Sequence, residues 1–385
     1  MMLTNTYYAG ATAILYVFFS LPLIHAHVAA WSKGMYCLNG TTPGQDNQNN
    51  NSPVVPMFQM KKEDWWMHHF DQCDQFPPAP GDFLDLPANG EFTIEFATNR
   101  AFTTLSYDGK QANTFPGPLQ NGLQDDQLGV AQDGQEPQCI SDPNLHAQNE
   151  TMASGSAFAI SYQSDIKNVT PENLVVFTVA YNTPWKRLAT FKVPNLPACP
   201  DDGCICAWGW VPNGCGEPNM YMFPYKCRVT GTPGTAPLAP AQPATWCEGS
   251  LGSNQAGPNG QCVQGAKQMI FWNQLEGDNI EVEGNDFSGN PRSPSYNDKL
   301  GFADGAQIDI FLSEPSPEPP RPTMTTVRAS PSATSPASTA SSTESSPAQT
   351  GNANENGAIG VVASQVSTTC FWVAMAVSVG LGLLV

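Results

Sequence analysis

Glu91-Phe92-Thr93-Ile94-Glu95-Phe96 alternates apolar and polar side chains, Phe92, Ile94 and Phe96 on one side, Glu91, Thr93 and Glu95 on the other. In an extended chain successive side chains point to opposite faces, so this stretch predicts a strand with one buried face and one wet face. Phe158, Ile160 and Tyr162 repeat the period of two through Ala157–Tyr162, and Leu174–Val179 is an apolar run suited to a strand covered on both faces. Further strands are expected at Thr190–Val193, Cys204–Trp210 and Ile308–Leu312. Only Lys61–Phe70 (KKEDWWMHHF) reads as a helix, and a short one. Between these segments lie many of the 33 glycines and 35 prolines, in long irregular connections and without an internal repeat. Short strands separated by Gly/Pro-rich turns predict an all-β fold, a β-sandwich with long loops closed by disulfides.

Both ends of the 385-residue chain carry processing signals. Residues 11–24 are apolar but too short to span a bilayer, and Ile24-His25-Ala26 follows as a small-residue cleavage site, so 1–26 reads as a secretory signal peptide. At the other end, the small residues Asn356-Gly357-Ala358, a spacer over Gly360–Thr369 and the apolar tail Cys370–Val385 form the pattern of a glycosylphosphatidylinositol anchor, with Asn356 as the attachment residue. Residues 313–356 are rich in Ser, Thr, Pro, Ala and Glu, a disordered, O-glycosylated stalk in character. The organisation read from the chain is therefore signal peptide 1–26, folded domain 27–312, stalk 313–356 and anchor propeptide 357–385. The mature protein is expected at the cell surface, tethered to the outer face of the plasma membrane or released from it.

Of the eleven cysteines, Cys370 falls in the discarded tail, leaving an even set of ten that reads as disulfides in an oxidising compartment. The short loops 199–204 and 247–262 are natural pairs, although spacing alone does not fix connectivity. Sequons at Asn39, Asn50, Asn149 and Asn168 agree with secretion. The net charge of −18 argues against nucleic acid or anionic lipid as a partner, whereas a neutral polysaccharide is not repelled.

Cleavage after Ala26 makes His27 the first residue of the mature chain. An N-terminal histidine offers its α-amine and an imidazole nitrogen as one chelate, and that amine loses its proton far more easily than a lysine. A second histidine would complete a planar three-nitrogen site, the geometry that suits Cu(II). The other histidines left after cleavage are His68, His69 and His146. His68 and His69 are adjacent and diverge by about 100° in a helix, so they read as polar edges of a tryptophan-packed helix. His146 lies in a loop before the Phe158 strand, where it is either a ligand or an exposed loop histidine.

His27-Val-Ala-Ala-Trp31 with Gly34-Met35-Tyr36, Trp65-Trp66-Met67-His68 with Pro77-Pro78-Ala79-Pro80-Gly81-Asp82-Phe83, and Cys204-Ile205-Cys206-Ala207-Trp208-Gly209-Trp210 followed by Tyr221-Met222 and Cys227 form a distinctive set. Together they resemble the fungal lytic polysaccharide monooxygenases of auxiliary-activity family fourteen, over about residues 27–230. The resemblance implies an immunoglobulin-like β-sandwich carrying one copper ion in a histidine brace. It implies His27 as amine and imidazole donor, His146 as the third nitrogen and Tyr221 on the axis, with Tyr225 as the rival if the alignment slips.

The activity so implied is oxidative cleavage of a xylan- or cellulose-type wall polysaccharide by a monomer. An external donor reduces Cu(II) to Cu(I), and with O₂ or H₂O₂ hydrogen is removed from a sugar C–H beside the linkage. The alternative is an anchored surface protein that uses the same brace for copper uptake or wall sensing without turnover. A hydrolase with paired carboxylates is a third reading, but Asp82, Asp85 and the other acids single out no pair. Trp31 reads as an interior side chain more than as part of a sugar-facing surface.

Overall fold

The structure, a computed structural model, describes residues 27–112, 145–212, 217–247, 261–285 and 289–312. The chain partitions at Pro319/Pro320, and every described residue lies in the first unit. The segments expected to be signal peptide, stalk and anchor propeptide, with Cys139 and Cys215, lie outside the described residues. Within the described residues no helix is long and apolar enough to cross a membrane.

The strands are β1 (Ala29–Trp31), β2 (Leu84–Pro87), β3 (Glu91–Ala97), β4 (Ser156–Ser161), β5 (Val175–Ala180), β6 (Leu188–Lys192), β7 (Cys204–Trp210), β8 (Tyr221–Thr230) and β9 (Gly305–Ala306). They form a sandwich of two sheets, ordered β1-β3-β6 and β2-β8-β7-β4-β5-β9. All pairings are antiparallel except β2 with β8, which runs parallel from Leu84↔Cys227 to Pro87↔Thr230.

The alternation in Glu91–Phe96 does what its period requires. Phe92, Ile94 and Phe96 are buried, while Glu91 and Thr93 face solvent. Phe92 meets Phe158 edge-on at 5.1 Å, Phe191 packs on Phe158 at 5.0 Å, and Phe96 lies 5.7 Å from Trp208. These rings join the two sheets, and each buried aromatic contributes about 1.5–3 kcal/mol by leaving water. Glu95, on the wet side of the pattern, is drawn inward by Arg187 at 2.5 Å and by the Thr104 N–H at 3.0 Å.

Four disulfides are described: Cys37–Cys73, Cys199–Cys204, Cys206–Cys227 and Cys247–Cys262. The two short-loop pairs are those expected from spacing, and Cys206–Cys227 fastens β7 to β8.

Three local expectations differ from the structure. The Lys61–Phe70 helix is only an α-turn, Lys62–Trp65, followed by a 3-10 stretch, Trp66–Asp71, in which Met67 (φ 53°) and His68 (φ 63°) are left-handed. Trp65 and Trp66 both pack on Phe271, at 5.1 and 5.5 Å. Neighbouring side chains on an α-helix diverge too far to share one ring, so the helix breaks where the second tryptophan turns in. Ile308–Leu312 forms no strand: Ile308 is 80% exposed, Phe311 makes a single bridge to Leu238, and the pairing with β5 is made by Gly305–Ala306 instead. The ten-residue strand β8 carried no clear strand signal because Pro224 sits inside it. The Pro224 carbonyl accepts from the Tyr36 N–H at 3.1 Å, so its nitrogen faces away from β7, on an edge that β2 reaches only from Cys227 onward.

Candidate metal centre

Strand β1 sets the position of His27. Ala29, Ala30 and Trp31 pair with Ala97, Phe96 and Glu95, and the Trp31 indole donates to the Ala97 carbonyl at 2.9 Å. The Tyr225 hydroxyl donates to the Ala30 carbonyl across the sandwich. Trp31 is thus an interior side chain, 1% exposed. His27 enters this ladder two residues ahead of Ala29 and is itself buried.

His146 is held in the left-handed region at φ 48°, between the buried Leu145 and Ala147. A residue other than glycine or asparagine in that region carries backbone strain, a cost of order 1–3 kcal/mol that surrounding packing must offset. Its ring lies edge-on to Trp210 at 5.7 Å. Trp210 is fixed in turn by its indole N–H donating to the Ser154 hydroxyl at 2.9 Å.

Tyr221 opens β8 and is the register partner of Trp210, with the two rings stacked at 4.5 Å. These placements bring His27, His146 and Tyr221 from distant parts of the chain to one point. The imidazole planes of His27 and His146 are 16° apart with centroids separated by 5.7 Å, and the Tyr221 ring stands 6.1 Å from His27 at 69°. The Tyr221 hydroxyl is buried and has no hydrogen-bond partner among the described residues. Burial, and after it the charge of Glu217, raises the Tyr221 phenol well above its ordinary pKa, so it is a neutral oxygen. Two imidazoles with a neutral, unsatisfied phenol oxygen form a nitrogen-rich donor set with a weak oxygen, and this fits copper.

The other histidines stand apart. His68, 1% exposed, places Nδ1 2.9 Å from Asp71 and Nε2 3.2 Å from the Val55 carbonyl, so it is a packed interior residue and not a polar helix edge. His68, Asp71 and Cys73 bring donor atoms within 4.8 Å of one another, but the Cys73 sulfur is consumed by its bond to Cys37. His69 faces solvent and pairs with Asp74 at 2.9 Å. Tyr225 has its hydroxyl engaged by the Ala30 carbonyl and packs on Phe158 and Phe223.

Two residues at this end of the sandwich had no expected role. Trp210, the common wall of His146 and Tyr221, stands in the Cys204–Trp210 motif that carries the resemblance, but no function was read from it. Asn219, two residues before Tyr221, is 1% exposed, and neither its amide nitrogen nor its oxygen has a partner among the described residues.

The sequence profile described as Lytic polysaccharide monooxygenase AA14 matches residues 10–380, well beyond the 27–230 over which the resemblance was legible by eye. The chain is 36% identical over 312 residues to AA14 family lytic polysaccharide monooxygenase B of Trametes coccinea (strain BRFM310), covering 77% of this chain and 67% of that protein. It is 36% identical over 313 residues to the Pycnoporus cinnabarinus protein of the same name, covering 77% and 75%. The Talaromyces rugulosus protein of that name is 35% identical over 307 residues, covering 77% and 96%.

Proposed function

Because this chain belongs to the AA14 family of lytic polysaccharide monooxygenases, we propose that copper would be held by His27 and His146, with Tyr221 as the oxygen donor. The enzyme is a copper-dependent polysaccharide-oxidising protein by family. The observation that carries the assignment of residues is the convergence of two near-parallel imidazoles with a buried phenol oxygen.

Copper, when bound, supplies the one-electron chemistry with O₂ or H₂O₂ by which a sugar C–H beside a glycosidic bond is oxidised. His27, freed by cleavage after Ala26, offers its α-amine and imidazole together. His146 supplies the opposing imidazole, its ring fixed by Trp210 and by the strained loop around it. Tyr221, whose buried hydroxyl has no partner among the described residues, would offer copper a weak oxygen donor. Ser154, through Trp210, holds the wall against which His146 and Tyr221 both rest.

The substrate class is a neutral wall polysaccharide of xylan or cellulose type, which the strongly negative chain does not repel. The protein enters the secretory pathway, acts as a monomer with an external electron donor, and stays on the cell surface through a glycosylphosphatidylinositol anchor at Asn356.

The test uses protein secreted with its native start, loaded with one equivalent of copper and incubated with a reductant and xylan, cellulose, glucan or chitin. Oxidised oligosaccharides on xylan or cellulose, absent with His146→Ala, are the expected result. Tight copper binding without products on any polymer would favour a copper-handling surface protein instead.

A further inference from the structure

The four sequons, at Asn39, Asn50, Asn149 and Asn168, occupy different surroundings in the fold. Asn50 is 1% exposed, and its side-chain nitrogen donates to the Cys37 carbonyl at 2.6 Å. Its oxygen accepts from the Ser52 N–H at 3.1 Å, and its backbone carbonyl accepts from the Arg100 N–H at 3.0 Å. Every part of this residue ties the segment beside the Cys37–Cys73 disulfide to the loop after β3. That nitrogen is packed against the Cys37 and Leu38 carbonyls, so a sugar on it would have to occupy filled protein, and a chain modified there cannot reach this fold.

Asn149 has the opposite surroundings. It is exposed and caps a short 3-10 turn, Glu150–Met152, through its oxygen alone, accepting from the Met152 N–H at 3.1 Å and from the Thr151 hydroxyl at 2.7 Å. Asn149 follows His146 by three positions, a span of at most about 11 Å of chain. Asn39 and Asn168 are also exposed, but neither follows a residue of the candidate metal centre so closely.

We propose that the sequons are used unequally: Asn149 carries an N-linked glycan at the rim of the copper site, and Asn50 stays bare. The inference rests on the secretory entry argued above. In the transfer, a bond forms between the Asn149 Nδ2 and C1 of an oligosaccharide. The C1–O bond to a polyprenyl pyrophosphate donor breaks, the pyrophosphate leaves with the electron pair, and Nδ2 gives up one proton. A glycan so placed restricts the directions from which an insoluble polymer reaches His27 and His146, while small molecules still pass.

The experiment takes the full-length secreted protein, releases N-glycans enzymatically in H₂¹⁸O, and maps labelled aspartates by peptide mass spectrometry. Label at Asn149 and none at Asn50 is the expected result. Label at Asn50, or none at Asn149 while Asn39 or Asn168 is labelled, overturns the proposal. Absence of label at all four sites in protein recovered from the medium overturns the proposal and leaves the secretory reading standing. Thr151→Val erases the sequon yet leaves the Asn149 cap in place. It should raise adsorption to insoluble xylan several-fold with Cu(II) affinity unchanged, and unchanged adsorption would overturn the rim role.

Discussion

Trp210 and Tyr221 face each other across the β7–β8 ladder with rings stacked at 4.5 Å, and the same tryptophan meets His146 edge-on at 5.7 Å. One strand register therefore fixes the relative positions of an axial candidate and an imidazole that lie far apart in sequence. Tyr221→Phe keeps the stack and removes only a hydroxyl with no partner among the described residues. Thermal unfolding of the metal-free variant should match or exceed wild type, while the Cu(II) electron paramagnetic resonance parameters shift. A loss of several degrees would show that the hydroxyl is structural.

Trp210→Ala removes a fully buried indole that supports both neighbours. Large-to-small changes of this kind cost about 3–5 kcal/mol, so denaturant unfolding should show a loss of that size. Copper affinity should fall in parallel, since His146 loses its wall. Wild-type affinity in the folded variant would separate the wall from the site.

Asn219 buries an amide with neither end engaged among the described residues, a cost of about 1–3 kcal/mol. Asn219→Leu should then raise the melting temperature of the metal-free protein by a few degrees in differential scanning calorimetry. A lower melting temperature would mean that the amide is satisfied in solution.

Arg187 and Glu95 form a buried pair at 2.5 Å, with side-chain exposures of 8% and 10%. Arg187→Met strands the carboxylate and should cost about 3–5 kcal/mol, read from equilibrium unfolding at neutral pH. A cost below about 1 kcal/mol would mean that Glu95 finds sufficient partners in Thr104 alone.

Much of the sandwich was legible because its core strands obey a period of two or are continuously apolar: the β3 pattern and the Cys204–Trp210 run predict strands that the structure contains. What escaped depends on contacts remote in sequence. Pro224 masks β8 until the Tyr36 segment is seen to occupy the edge beside it, and Trp65 and Trp66 break their helix for the sake of Phe271, some two hundred residues away. His27 was legible as a candidate from the processing signal and Tyr221 from resemblance. The choice between Tyr221 and Tyr225 was not, because two tyrosines on one strand face differ only in which end of the sandwich they occupy. Asn219 and Trp210 left no trace in composition or spacing, since an unsatisfied amide and a shared wall exist only in three dimensions.

A mature chain that begins at His27 would hold copper with its amine, its imidazole and the His146 imidazole together. Electron paramagnetic resonance of the Cu(II) protein, with nitrogen couplings counted, tests this directly when a native-start protein is compared with one carrying a single extra residue ahead of His27. Three coupled nitrogens in the native-start protein, falling in the extended protein and again in His146→Ala, is the predicted result. Identical spectra from native-start and extended proteins would contradict the account.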